Sequence, residues 1–284
     1  MTMPEMELSA GTIEYGDTGG NRPVVVLLHG LLMDASLWDQ TVSELAAHHR
    51  CITPILPLGA HRQPMVPDAD LSLPAIAGLV GELLDRLDLH DVTLVGNDTG
   101  GALAQLLMAE RHPRIGRVVL ASCDAFDNFP PGLTGRTLVR TGKVTPTLFG
   151  FFMQQLRVRF VRRLPLAFGW LTKRGDAVTA GWIRPVLAQS RIRRDAVKVL
   201  RAIGRDRTLL SVTAERLQDY PAPALVVWAA ADRVMPAEHG RRLAELLPDA
   251  RLVEVEDSYT LLPLDQPIEF ARLIREFVAV VRTA

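Results

Sequence analysis

The chain has 284 residues, enough for one large domain or a core with an added lobe, and its 48% hydrophobic and 23% charged residues suit a globular fold. A formal net charge of zero excludes an overall electrostatic pull toward nucleic acid, and two cysteines, Cys51 and Cys123, make neither a disulfide framework nor a metal-ligand spacing. An acid-bearing N-terminus and the lack of any run of about 18 uncharged apolar residues argue against a signal peptide and a membrane span, and so for a cytoplasmic protein.

Through residue 122, short apolar runs alternate with helix-length amphipathic segments. VVVLL after Pro23 shows no polar alternation, as expected of a strand buried on both faces. Ile52–Leu56, Val92–Val95 and Val118–Ala121 read the same way. Helices are expected at about 36–48, 72–88 and 99–112, the middle one from the helical spacing of its leucines. Strand–helix–strand alternation implies a parallel sheet with right-handed crossovers.

The alternation resumes after residue 220, with a strand at Ala224–Ala229, a helix at Ala237–Leu247, a strand at Arg251–Val255 and a closing helix at Ile268–Val281. The intervening 125–220 is helical in composition, broken by prolines, and reads as a helical cap inserted after the fourth parallel strand. The core is then 1–124 with 221–284. Residues 136–207 hold seventeen Lys/Arg against three acids, Asp176, Asp195 and Asp206. That imbalance fits either solvated arginine heads on an apolar cap or a surface for an anionic or carrier-linked substrate, such as a phosphate-bearing molecule or an acidic lipid headgroup. Nucleic acid is not expected, because no binding motif accompanies the charge. The oligomeric state is left open.

Sites in open parallel sheets form beyond the carboxyl ends of the strands. The polar residues placed there are His29, His61, Asp98, Asp124, Asp232, Tyr259 and Thr260. The stretch GNDTGG, 96–101, sets Asp98 at the apex of a strand–turn–helix. Glycines on either side suit a strained residue in a tight turn.

These features resemble the α/β-hydrolase superfamily over nearly the whole chain. The resemblance is carried by LLHG at 27–30, GNDTGG at 96–101, WAAADRVMP at 228–236 and DSYTLLPLDQP at 257–267. An aspartate at the apex is similar to the branch that contains haloalkane dehalogenases and epoxide hydrolases. That resemblance implies Asp98 as nucleophile, an alkyl-ester intermediate, and an oxyanion hole from the N–H groups of Leu31 and Thr99. It further implies Asp232 as the acid, a small hydrophobic substrate, and neither cofactor nor metal.

The chain departs from that branch at several positions. The family's histidine position is Thr260, and no histidine follows His239. Threonine is no proton acceptor near neutral pH. Thr99 stands where dehalogenases have a halide-binding tryptophan, and Leu31 lacks the second halide donor. The segment 125–219 contains no tyrosine to protonate an epoxide, although Tyr220 and Tyr259 lie beside it or beside Thr260. His61 is the first candidate for a substitute base, with His29 more in keeping with a structural role. His29, Asp124, Tyr259 and Thr260 are candidate substrate contacts. An epoxide-hydrolase-like hydrolase stands first. A lyase, isomerase or cyclase using Asp98 as acid or base, and a binding protein without turnover, remain open.

Overall fold

A computed structural model describes residues 3–281. Its eight strands are β1 (Glu5–Leu8), β2 (Gly11–Asp17), β3 (Val24–Leu28), β4 (Arg50–Pro54), β5 (Val92–Asp98), β6 (Ile115–Cys123), β7 (Ala224–Ala229) and β8 (Ala250–Val255). They form one sheet in the order β1-β2-β4-β3-β5-β6-β7-β8. β1–β2 and β2–β4 are antiparallel, and the remaining pairs are parallel. β5 and β7 are buried at every residue, which is why their sequences show no alternation.

Helices α1 (Asp39–Leu45), α2 (Leu73–Arg86) and α3 (Thr99–Ala109) follow β3, β4 and β5, and all of α3 is buried. Ser72 caps α2 by accepting the N–H of Ala75. Between β6 and β7 come α4 (Gly132–Thr141), α5 (Pro146–Gln154), α6 (Arg159–Arg162), α7 (Asp176–Trp182), α8 (Arg184–Ala188), α9 (Ser190–Arg205) and α10 (Leu209–Leu217). α9 buries Ile192, Ala196, Val199, Leu200 and Ile203 against α4, α5 and α8, while α10 packs on α3. The chain closes with α11 (Ala237–Leu246), α12 (Leu262–Asp265) and α13 (Pro267–Val281).

The parallel strands and the long helices fall where the apolar runs place them. Two differences have physical causes. The hairpin β1–β2 gave no apolar run, because its acids Glu5, Glu7 and Glu14 interrupt a half-buried pattern. Strand β4 starts and ends two residues earlier than expected. The apolar run continues past it into a buried loop, where Leu56 N–H donates to His29 Nε2 instead of to a strand.

Candidate functional site

β5 ends on Asp98 and α3 begins on Thr99. Asp98 holds φ 55° and ψ −130°, a left-handed backbone that costs a non-glycine residue about 1–3 kcal/mol. The neighbours leave no slack. A Cβ on Gly100 would lie 2.0 Å from the Leu28 carbonyl oxygen, and one on Gly30 would lie 2.2 Å from Asp98 Oδ1. Both glycines are thus fixed by close approach, the second by the carboxylate itself.

Asp98 Oδ1 accepts three hydrogen bonds: from Thr99 N–H at 2.7 Å, Leu31 N–H at 3.2 Å and the Thr99 hydroxyl at 3.1 Å. Its position at the start of α3 adds the favourable helix field. Burial raises the Asp98 pKa, and these three donors oppose the rise without cancelling it. Oδ2 makes no hydrogen bond among the described residues, and it is not sealed from space. Asp98 floors a small cavity of about 50 Å³, walled by Leu31 and Met33 from the β3 side, Leu138 and Val139 from α4, Leu171 and Val234. That volume is room for one or two waters at about 30 Å³ each. The wall is apolar apart from Asp98 and Thr134.

Asp124, just past β6, is fully buried beside Asp98. The Thr99 hydroxyl lies 3.1 Å from Asp98 Oδ1 and 3.0 Å from Asp124 Oδ2. One hydroxyl proton cannot serve both oxygens, so the second contact needs a proton on a carboxyl. Asp124 is the group that carries it. Burial and then the charge of Asp98 push its pKa well above the carboxylate range, and its Oδ1 has no partner. The N–H donors on Asp98 oppose the rise in its pKa, whereas Asp124 has no such donors.

Asp232, in the turn after β7, accepts from Val234 N–H, Met235 N–H and the Thr260 hydroxyl, the last at 2.8 Å. All three go to Oδ1. Oδ2 makes no bond of normal geometry, although the nearby Ser122 hydroxyl favours the charged form. Burial dominates and raises the Asp232 pKa to about 6. Thr260 is itself fully buried, and its carbonyl accepts from Asn97 Nδ2 at 2.8 Å. Asn97 Nδ2 also meets the carbonyls of Ala121 and Ser122, so one amide ties the ends of β5 and β6 to the Thr260 loop. Asn97 and Ser122 were not singled out from the sequence; adjacency to Asp98 and Asp124 was the only signal.

The structure brings Leu31, Thr99 and Asp124 to Asp98, and Thr260 to Asp232. It does not bring the histidines there. His29 donates through Nδ1 to the Gly30 carbonyl and accepts Leu56 N–H at Nε2. Burial lowers its pKa to about 4, so it is a neutral pin between two loops. The expectation of a base at His61 finds no support in this geometry. Its Nδ1 accepts Gly59 N–H, and its Nε2 meets Asp195 Oδ2 of α9 at 3.3 Å. Burial pushes the Asp195 carboxylate up, but bonds from His61, Met65 N–H and Arg194 outweigh it and hold its pKa low. Both ring nitrogens of His61 are spent on a staple between the 59–65 loop and α9. Tyr259 lies against Lys173 and Arg233, 4.9 and 4.5 Å from its ring centroid, in a separate basic cavity. Tyr220 is buried, with its hydroxyl unpartnered and its pKa pushed up to about 12 by burial. Among the described residues no group of three or more His, Cys, Asp or Glu is placed to hold a metal ion.

With this geometry in view, comparison with known proteins is informative. Residues 25–273 match the model of the alpha/beta hydrolase family. The chain belongs to that family. Its membership makes it a hydrolase-type enzyme, and the eight-stranded sheet with its helices is that family's fold. It is similar to an uncharacterised protein of Mycobacterium tuberculosis, 26% identical over 270 residues, covering 91% of this chain and 76% of that one. It is also similar to haloalkane dehalogenase 2 of the same species, 27% identical over 277 residues, covering 94% and 92%. Among solved structures, a thermophilic esterase from Thermogutta terrifontis superposes with a TM-score of 0.78 at 20% identity, covering 99% of both chains. No helix among the described residues is long and apolar enough to cross a membrane.

Proposed function

We propose that this family member hydrolyses a small apolar molecule with Asp98 as the nucleophile. The observation that carries the proposal is the asymmetric carboxylate: Oδ1 is held by two main-chain N–H groups and a hydroxyl, while Oδ2 makes no hydrogen bond among the described residues, and Asp98 lines an apolar cavity. Attack by Oδ2 on an electrophilic carbon displaces the leaving group and makes an ester. The ester carbonyl oxygen is then Oδ1, already seated on Leu31 and Thr99 N–H. Water attacking Cγ places negative charge on that same oxygen, where the two donors act as an oxyanion hole. The similarity to a haloalkane dehalogenase supports a displacement of this kind. The cavity wall offers no side-chain N–H to a departing halide, which favours a substrate whose leaving oxygen stays attached, such as an epoxide; the alkoxide formed on ring opening takes its proton from water, since no tyrosine lines the cavity.

The second step is the weak one. The residue bonded to Asp232 is a threonine, and no titratable side chain other than Asp98 lines the cavity. The ester therefore accumulates, and its release limits turnover. Intact mass after incubation with a terminal epoxide, a haloalkane and an activated ester tests this. An adduct that persists and is absent in Asp98→Asn is the expected result; full activity in Asp98→Asn would refute it. A second reading rests on the Asp124–Thr99–Asp98 hydrogen bonds, which give Asp98 a proton source for non-hydrolytic acid–base chemistry. Turnover without any adduct, lost in Asp98→Asn, would favour that reading.

A further inference from the structure

Among the described residues, large apolar side chains left in water are concentrated in one place. Leu148, Phe151, Phe152, Val158, Phe160, Leu164 and Leu166 are all exposed, with Phe160 at 73% and Phe151 at 64%. They span α5, the turn after it, α6 and the loop beyond, a stretch of 19 residues. Elsewhere among the described residues such side chains occur singly, as scattered surface apolar groups do. The same stretch is basic without relief. No acid occurs between Asp127 and Asp176, and Asp176 is taken up by Arg159 and Arg162. Arg157 and Arg163 are exposed and make no ion pair among the described residues.

Beside this face lies an open pocket of about 540 Å³. Arg157 and Arg184 stand at it, with Ile183, Leu187 and Ala180 as its apolar wall. An apolar face, a ring of uncompensated arginines and a pocket that pairs both have one common complement. We infer that this face docks on the surface of an anionic lipid bilayer, the phenyl groups entering the acyl boundary and the arginines meeting lipid phosphates. A second copy of the chain would oppose like charges across the contact. An acidic peptide would satisfy the arginines and leave most of the seven apolar side chains in water. A fluid bilayer serves both and demands no fixed register from short helices. The surface does not depend on the reaction at Asp98. It adjoins the cavity through α4, through Leu171 beyond the exposed loop, and through α9, which packs on α5 and lends Ile203 to the cavity wall.

Co-sedimentation of the full chain with vesicles tests the proposal. Vesicles of phosphatidylcholine alone are compared with vesicles that also contain phosphatidylglycerol, at low and high salt. Pelleting with the anionic vesicles that weakens with salt is expected. The Phe151→Ser/Phe160→Ser double variant should bind at least tenfold more weakly. Arg157→Gln and Arg163→Gln should each lose roughly fivefold. All these sites are exposed, and an unchanged thermal melt confirms that each variant folds. No pelleting, equal pelleting on both vesicle types, or wild-type binding by the variants would overturn the proposal. So would self-association or capture by polyglutamate without vesicle binding.

Discussion

Replacing Asp232 by asparagine isolates one buried charge. Asp232 titrates at about 6 in the folded chain against 3.8 ordinarily, because burial outweighs its donors. Between those values the unfolded chain has released the proton and the folded chain has kept it. The folded carboxyl is raised, so its contribution to stability is complete below pH 3.8 and is lost as pH rises through about 6. The slope is ~1.4 kcal/mol per pH unit, and the window is a little over two units wide, so ~3 kcal/mol is lost across it. Asparagine imitates the neutral acid. Its Oδ1 still accepts from Val234, Met235 and Thr260, while its Nδ2 takes the place of Oδ2, which makes no bond of normal geometry. An unmet amide donor there costs about 1–3 kcal/mol at every pH. That cost is the same at every pH and leaves the pH dependence to Asp232 alone. Urea unfolding of both chains, followed by far-ultraviolet circular dichroism from pH 4 to pH 7, gives the stability of Asp232→Asn minus that of the wild type. That difference should rise by roughly 2.4 kcal/mol in favour of the variant, the rest of the ~3 kcal/mol having been lost below pH 4. Asp124 and every other titrating group are common to both chains and largely cancel. A flat difference would refute the reasoning, because Asp232 would then ionise in its ordinary range.

Three further outcomes follow from the geometry. His61→Ala should cost about 2–4 kcal/mol, since Asp195 is fully buried and loses a partner, yet leave the rate per folded molecule within about threefold. A loss of about 100-fold or more would instead make His61 the base. Thr99→Val keeps the main-chain donor but removes the hydroxyl between Asp98 and Asp124, so the Asp98 pKa should rise. The pH at which adduct formation is half-maximal should then move upward, and an unmoved profile would deny the hydroxyl its role. Leu138→Ala opens the wall of a cavity of about 50 Å³, and should raise kcat/KM for longer substrates over shorter ones by about tenfold. Unchanged ranking across a chain-length series would place the substrate elsewhere.

How much of this was legible in the sequence depends on how local each cause is. Runs such as VVVLL are unalternated because both faces of the strand are covered, so composition alone exposes the parallel sheet. The Asp98 turn was legible because Gly96 and Gly100 leave few alternatives to a tight elbow. Strands β1 and β2 were not, since an acid-interrupted edge hairpin carries no apolar run. The surroundings of His61 were not legible for a different reason. A histidine on a rim loop reads the same whether it faces a substrate or a carboxylate, and its partner Asp195 lies 134 residues away in a segment that the sequence marks only by its excess of arginine and lysine. Asp124 was visible as a neighbour of Asp98, but its protonation required counting the one hydrogen on Thr99.

That count also explains why an aspartate can stand at this turn at all. Two buried carboxylates sharing one hydroxyl cannot both be charged without a large penalty. The fold resolves the conflict unevenly. It aims two main-chain N–H groups at Asp98 and none at Asp124, whose Oδ1 is left without a partner. The donors that favour a charge are thereby gathered on one carboxylate, and within it on one oxygen. The oxygen that remains, Asp98 Oδ2, is the poorly solvated one beside an apolar cavity. A weakly hydrated, charged oxygen is the more reactive end of a carboxylate, because it has less solvation to shed before it forms a bond. On the proposed mechanism, the reactivity of Asp98 is set by an unequal distribution of backbone donors, which Gly30 and Gly100 permit by letting the β3 and β5 ends come within contact of the carboxylate and of each other.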